Sequence, residues 1–370
     1  MGSSRSYDTI VVGAGIAGIC TAYWLKERGQ RVLLIDKRGV LGGASGAAGA
    51  FLSPRIGRGG DLQKITNEAY RFALGFYGRI APEAFFQSGL VRIPKDGADA
   101  RKFEECRPFL DVDFQEADRS SFPHIDADAM RYGGLFFPDA AYVDPFRVAE
   151  KLISGIDTAW GLLAVPRRIG GVWRVERYAA PSIVLATGAD RFPLPAPYLQ
   201  IGALWGERVD LLCDASVPVT LHRHISVSSS VEGIVRIGAT HVRGGMESEV
   251  ERIERLVADA RSLVPALETC RIHKIFGGFR SAVNDHFPIA GGVVDFEAMK
   301  KGGESPTPES LPTVAGAYAV GAFGGRGFVF APLVGEMVAN VILGGFGPDP
   351  RVSIGRFPLR LLKRRLRKGR

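Results

Sequence analysis

Apolar positions near the N-terminus fall into two short unbroken runs separated by a helical pattern. Ile10-Val11-Val12 reads as a buried strand, Ile16 to Arg28 has the length and spacing of a helix, and Val32 to Ile35 reads as a second buried strand. Between the first strand and the helix stands Gly13-x-Gly15-x-x-Gly18, and Asp36 closes the second strand 23 residues after Gly13. The first glycine permits a tight turn, the second lets backbone approach a pyrophosphate, and the third lets helix and strand pack closely. The helix start offers N–H groups and a positive dipole end to phosphate oxygens. A carboxylate at Asp36 can accept both ribose hydroxyls of an adenosine. A glycine triplet alone is a common turn, but strand before, helix after and acid at the next strand end together predict a dinucleotide site. Its expected contacts are Gly13, Ala14, Gly15, Ile16, Ala17, Gly18, Asp36 and Lys37.

The pattern then changes character several times. Residues 41 to 54, "LGGASGAAGAFLSP", carry little side-chain bulk between the apolar anchors Leu41, Phe51 and Leu52. Such a backbone can lie against a flat ring, with Ser45 placed to bond a phosphate; Ala44, Gly46, Ala48 and Gly49 complete the expected ligand loop. Residues 61 to 80 predict an amphipathic helix capped by Asp61, and Asp144-Pro145 predicts an N-cap followed by proline at the first helical position. Residues 90 to 138 are mixed and poorly periodic. "PSIVLATGAD" (181 to 190) predicts a buried strand ending in a turn at Gly188, and residues 207 to 240 predict short antiparallel strands. A helix is expected at 248 to 263, and 300 to 310 has the composition of a surface loop. Residues 317 to 343 repeat the strand, glycine turn, helix design, with the turn at Gly324-Gly325-Arg326-Gly327 and an apolar helix from Phe328.

At 370 residues the chain predicts roughly two domains. Its 46% hydrophobic and 23% charged content is that of a globular protein and excludes a disordered chain. The net charge of +8 is unevenly placed. Residues 351 to 370 hold nine of the 47 lysines and arginines and no acid, leaving 38 basic against 39 acidic residues in the rest of the chain. After Pro358, a helical tail puts Leu359, Leu362 and Leu366 on one face and Arg360, Lys363, Arg364, Arg367 and Lys368 on the other, with Arg365 adding to the charge. Ten helical residues span about 15 Å, too short to cross a bilayer. A basic amphipathic helix of that kind docks on anionic lipid or on phosphates. The four cysteines (Cys20, Cys106, Cys213, Cys270) show no CxxC and no metal-ligand spacing, so no metal is expected, and their scatter suits a reducing cytoplasm better than a disulfide framework.

The stretches "GASGAAGAFLSP", "RIGATHVRGG", "GGFRSAVNDHFPIAG", "GAFGGRGFVFAPLVGE" and "RFPLRLLKRRLRKG", in that order, resemble the D-amino-acid-oxidase and glycine-oxidase superfamily of FAD enzymes. They are most similar to the C-terminal oxidase half of the bifunctional MnmC family, which modifies the wobble uridine of tRNA. The resemblance implies an α/β plus α+β chain in which a Rossmann-like FAD-binding domain (1–89, 140–200, 274–354) is interleaved with an antiparallel-sheet substrate domain (90–139, 201–273), followed by a basic tail (355–370). It implies FAD as cofactor, with Gly188, Gly324, Gly325, Arg326, Gly327 and Phe328 among its contacts, and Arg280 as the clamp on a substrate carboxylate. Guanidinium donors match the two oxygens of such a group. Arg326 is a second expected substrate or flavin contact. The implied activity is removal of the carboxymethyl arm from carboxymethylaminomethyl uridine in tRNA as glyoxylate, with Arg360, Lys363, Arg364, Arg365, Arg367 and Lys368 on the RNA. A chain of this length leaves no room for the methyltransferase domain of that family, so a separate methyltransferase is expected to act on the product. No second glycine triplet follows a mid-chain strand, so oxygen or another acceptor entering directly is expected to reoxidise the flavin. Two other readings compete: a small-molecule amine oxidase acting on glycine, sarcosine or a D-amino acid, and a flavoprotein docked by its tail on a membrane surface or partner. His241, His286 and Asp285 are assigned no proton-transfer role.

Overall fold

The computed structural model describes residues 5–242, 248–301 and 310–361. The elements that organise it are, in chain order, β1 (Thr9–Val12), α1 (Ile16–Glu27), β2 (Val32–Asp36), α2 (Asp61–Ile80), β3 (Ser182–Leu185), β4 (Gly202–Leu212), α3 (Glu249–Leu263), β5 (Arg271–Ala282), β6 (Thr313–Gly321) and α4 (Gly327–Ile342). The chain forms two compact units, one from residues 1–43, 149–203 and 280–370, the other from 44–148 and 204–279. Helix α2, which the family resemblance assigns to the FAD-binding domain (1–89), lies in the second unit.

In the first unit, six strands form a sheet in the order 157–160, β2, β1, β3, β6, 289–294. Neighbours from 157–160 to β6 run parallel, and the strand 289–294 is antiparallel to β6. β1 and most of β2 and β3 are fully buried, as continuous apolar runs in a covered parallel sheet must be. Helix α4 is buried along most of its length and carries Gly335 where a Cβ would stand 3.0 Å from the Thr21 amide nitrogen of α1. The missing side chain lets the two helices approach through their backbones. Residues 356–361 are helical, and Phe357, Leu359 and Leu361 pack on the core of this unit. The tail residues Leu362, Lys363, Arg364, Arg365, Leu366, Arg367 and Lys368 lie outside the described residues, as do 302–309 of the expected surface loop.

An eight-stranded sheet dominates the second unit, in the order β5, β4, 234–238, 226–227, 220–222, 90–92, 134–137, 115–117. Among the pairs from β4 onward it is antiparallel except where 220–222 runs parallel to 90–92, a pairing that joins strands more than a hundred residues apart and that local patterning does not signal. Helix α3 starts with a reciprocal cap between Ser248 and Glu251. Helix α2 starts differently from expectation: Gly60 is the N-cap, and Asp61 is the first helical residue, where its charge favours the positive helix end without a capping bond. Asp144 does cap as expected, accepting from the amides of Phe146 and Arg147, both at 3.0 Å.

The cysteine expectation is corrected. Cys213 and Cys270 form a disulfide between the residue after β4 and the residue before β5, while Cys20 and Cys106 stay outside any disulfide. A separation of 57 residues carries no spacing signal; the two thiols meet only because their strands end side by side. Among the described residues no helix is long and apolar enough to cross a membrane, and no acid, histidine and cysteine cluster could hold a metal ion.

One buried charge ties β4 to α3. The Glu207 carboxylate, nearly inaccessible, accepts from Arg252 (2.5 and 3.0 Å), the Thr240 hydroxyl (2.6 Å) and the Trp205 indole (2.9 Å). Burial pushes its pKa up, but these donors and the Arg252 charge outweigh burial and bring it down to about 2. A folded-state pKa below the unfolded value contributes stability above the ordinary glutamate range, and that contribution is lost as pH falls toward 2. Arg252→Met is therefore expected to raise the midpoint of acid unfolding followed by circular dichroism. At neutral pH it should cost about 3 kcal/mol in urea, because a buried carboxylate loses its partner.

Candidate active site

The site is built where β1, β2, β3 and β6 end. Gly13 leaves β1 with φ +111°, and a Cβ on it would lie 2.2 Å from the Ala186 carbonyl oxygen just past β3. A Cβ on Gly18 would lie 1.9 Å from the Gly13 carbonyl oxygen. No side chain fits at either place, so the turn is drawn tight against both its own helix and the neighbouring strand. Gly15 caps α1 in extended conformation and, as glycine, contributes no side-chain capping bond.

Asp36 has a structural duty first. Its Oδ2 accepts from the Ala14 amide at 2.7 Å, and its Oδ1 accepts from the amides of Arg38 (2.6 Å) and Gly39 (3.1 Å). Two lone pairs per oxygen leave Oδ2 one acceptor position for a hydroxyl. The next turn is fastened to it from outside: Lys37 Nζ and Arg38 Nη2 reach Asp190 at 2.9 and 3.3 Å, two residues beyond Gly188, which has φ +61°. Lys37 is thus exposed and holds the turn through Asp190, with its charge already engaged.

The second glycine turn closes the other side. Gly324 (φ +58°) donates its amide to the Ser281 carbonyl at 2.8 Å, and Arg326 is the N-cap of α4. A Cβ on Gly327 would stand 3.3 Å from Ile16 at the start of α1, so the N-termini of α1 and α4 sit side by side. Phe328 is buried behind them. Arg280 immediately precedes Ser281, so the bond from Gly324 sets it beside this turn, where it is half-buried and burial pushes its guanidinium pKa down. Asp285, five residues on from Arg280, is gripped by Arg356 through two bonds of 2.9 and 3.1 Å and by Arg360 at 2.5 Å. Burial raises the Asp285 pKa, but these arginines lower it further, leaving it below the ordinary range. Arg360, expected on RNA, is therefore half of an ion pair that pins the C-terminal helical turn.

In the second unit, the stretch 44–49 is organised by a residue that sequence patterning missed. Arg208, only 2% exposed, donates to the carbonyls of Gly46 (3.3 Å) and Ala48. Its own charge is met by Asp210, with Nε 2.8 Å from Oδ1, and its guanidinium lies 4.0 Å from the Phe276 ring centroid. Burial lowers its pKa while Asp210 raises it. The signal available was an Arg-x-Asp pair, which alternation puts on one face of an apolar strand. The sequence-expected residues thus divide: Gly13–Gly18, Asp36, Lys37, Gly188, Arg280 and Gly324–Phe328 gather in the first unit, and Ala44, Ser45, Gly46, Ala48 and Gly49 form the clamped stretch of the second.

A first glycine turn that excludes Cβ atoms, a second glycine turn beside it, two adjacent helix starts and a carboxylate with one acceptor position left fit a dinucleotide. The comparisons agree. The DAO family of FAD-dependent oxidoreductases matches residues 8–341, and this chain belongs to that family. It is an FAD-dependent oxidoreductase. Among curated relatives, the tRNA 5-methylaminomethyl-2-thiouridine biosynthesis bifunctional protein MnmC of Aeromonas hydrophila is 26% identical over 92% of this chain and 57% of its own length. The MnmC of Maricaulis maris is 28% identical over 90% of this chain and 52% of its own length. The chain thus spans a little over half the length of these relatives. Among solved structures, glycine oxidase from Geobacillus kaustophilus superposes with a TM-score of 0.78 at 19% identity, covering 92% of this chain and 96% of that one. Iminodiacetate oxidase from a Chelativorans species gives 0.74 at 20%, covering 93% and 98%. At these identities the structures show the fold.

If Arg208 shapes the 44–49 stretch for the cofactor, replacing it together with its counter-ion (Arg208→Met with Asp210→Leu, an apolar pair of similar bulk) should leave thermal stability nearly unchanged. FAD affinity, measured by calorimetric titration of the apoprotein, should fall about tenfold or more, as for other supporting shells.

Proposed function

We propose that this chain removes the carboxymethyl arm from 5-carboxymethylaminomethyl uridine, with or without a 2-thio group, at the wobble position of tRNA, leaving the aminomethyl form. The observation that carries this reading is the similarity to MnmC proteins over nine-tenths of the chain, joined to a half-buried arginine set beside the second glycine turn.

The substrate is a glycine whose nitrogen bears the uridine methylene. Arg280 would hold its carboxylate through paired N–H donors, and partial burial strengthens that pairing by excluding water. The arm's CH₂ then lies at a fixed distance from the guanidinium. Bound FAD supplies the acceptor for the hydride leaving that carbon, and oxygen is the expected final acceptor, becoming hydrogen peroxide. The nitrogen loses a proton as the C=N bond forms. Water adds to the carbon of that bond, and the C–N bond breaks to give aminomethyl uridine and glyoxylate. The chain's own contribution is orientation, so no acid–base dyad is required if the amine arrives neutral.

Nucleoside mass spectrometry after incubating the FAD-loaded protein with tRNA bearing the carboxymethylaminomethyl base tests this directly. Appearance of the aminomethyl nucleoside with stoichiometric glyoxylate is the expected result. An unchanged base beside rapid oxidation of free glycine, sarcosine or a D-amino acid would transfer the assignment to a small-molecule amine oxidase. Arg280→Ala is expected to stay yellow and folded while kcat/KM falls at least a hundredfold, about 3 kcal/mol of lost charge-assisted bonding. Turnover that survives this change would place the carboxylate clamp elsewhere.

A further inference from the structure

We infer that the second unit carries an oxyanion subsite, formed by Arg92 and Arg55, for a phosphate of the nucleotide that bears the modified base. The inference rests on the tRNA reading above. It begins with a row of residues in register across the eight-stranded sheet. Arg208 of β4 pairs with Gly238, Gly238 with Ser226, Ser226 with His222, and His222 with Arg92. Directly opposite residues share a face, so Arg208, Ser226, His222 and Arg92 all point the same way. Their chain neighbours Val209, Ile237, Val227, Leu221 and Val91 point the other way, into one core with Ile253 and Leu256 of α3. A helix therefore seals one face of the sheet. The polar row lies on the other, where Arg208 holds the carbonyls of Gly46 and Ala48.

Arg92 ends that row. On the same face Leu90, Leu135 and Phe137 pack with Ile56, which brings the segment around Arg55 over this end of the sheet. That segment is fixed from α2. The fully buried Asn67 accepts from the Arg55 amide at 2.7 Å and donates to its carbonyl at 3.4 Å, and the buried Gln63 accepts from the Gly59 amide at 2.8 Å. Burying two side-chain amides is costly unless their bonds are made, and what these bonds hold in place is Arg55. His222, between Arg92 and Ser226, is set by a contact of 2.8 Å from its Nδ1 to the Ser226 hydroxyl.

Both arginines are partly buried, and neither guanidinium has an ion-pair partner among the described residues. Asp111 is taken by Arg71 at 3.3 Å and Asn67 at 2.5 Å, Glu105 by Arg58, and Asp99 Oδ2 by the Lys95 amide at 3.1 Å. Burial pushes the Arg92 guanidinium down to about 10, the Arg55 charge adds to that, and Asp99 opposes it only from a distance. Two neighbouring, partly dehydrated cations are thus left without an anion, a cost that an oxyanion accepting from both would remove. The substrate has to supply that anion. Glycine or sarcosine carries one carboxylate, for which Arg280 is the proposed clamp, whereas a nucleotide within tRNA has a phosphate on either side. The phosphates of the cofactor have the first glycine turn and the start of α1. Arg92 also lies four strand spacings, about 19 Å of backbone, from Arg208 and the 44–49 stretch it clamps.

The test gives the FAD-loaded protein two substrates: carboxymethylaminomethyl uridine as the bare nucleoside, and the same residue inside a trinucleotide with a phosphodiester on each side. Glyoxylate release yields kcat/KM for each, at equal flavin content. The wild type should favour the trinucleotide by about tenfold or more, and Arg92→Met should lower that ratio about tenfold, with the loss in KM rather than kcat. Arg55→Ala should lower it about fivefold, and Arg92→Lys should recover part of it as a point charge. The ratio is decisive because damage to the fold lowers both substrates together. Should Arg92→Met lose its flavin, Arg55→Ala, altered outside the sheet, carries the comparison. Inorganic phosphate, titrated calorimetrically into wild type and Arg92→Met, separates the two sources of such a group. Phosphate binding that vanishes with Arg92 while the substrate ratio holds would assign the site to a free anion and overturn the inference. A wild type that oxidises both uridine substrates equally well would overturn it too, leaving the tRNA reading standing. Oxidation of free glycine or an acidic amino acid, with both uridine substrates and the modified tRNA untouched, would sink both.

Discussion

Everything in the first unit depends on a distance too short for a Cβ. The Gly13 carbonyl, Gly18 in the first turn of α1 and Ala186 just past β3 crowd together, so that a Cβ on Gly13 or Gly18 would lie 2.2 or 1.9 Å from a carbonyl oxygen. That crowding holds the chain, as it leaves β1, in a positive-φ turn that suits glycine, with α1 starting three residues later. Asp36 then joins the end of β2 to the same turn through the Ala14 amide, and Asp190 joins the turn after β2 to the turn after β3. The site is thus a set of three neighbouring strand ends locked together, and the ligand-facing groups are what remains after those locks are satisfied.

The second unit relies on a different device, buried charge fully paired. Glu207 and Arg208 are consecutive in β4 and both interior, yet they serve opposite ends of the problem. Glu207 draws in Arg252 from α3 and so fixes a helix on the sheet. Arg208 turns to the carbonyls of Gly46 and Ala48 and so gives shape to a stretch whose small residues have no means of shaping themselves. A strand interior that carries such ions is costly unless each is met by a partner in good geometry, which Asp210, Thr240 and Trp205 help to supply.

The basic C-terminus changes meaning between sequence and structure. Its leucines were expected to define a docked face, and Leu359 with Leu361 and Phe357 does pack on the core. Arg356 and Arg360, however, are spent on Asp285 rather than held out to a partner. Part of what reads as a charge reserve is a structural clasp, and cationic surface also occurs at the exposed end of β5.

By itself the sequence determined the βαβ unit with its glycine spacing, the second strand–turn–helix at β6 and α4, the capped helix start at Asp144, the helix that follows Ser248, and the placing of excess charge at the C-terminus. Each is a short-range feature, set by the φ range of glycine, the period of apolar residues or the competition of a side chain for a helix amide. Tertiary structure alone decided that 220–222 would pair in parallel with 90–92, that Cys213 would find Cys270, and that Arg208 would organise residues 46 to 48 from 160 positions away. It also decided that Asp36 would brace a turn before meeting any ligand. These depend on which segments become neighbours when two interleaved units close their cores, and proximity of that kind leaves no mark in the spacing of residues along the chain.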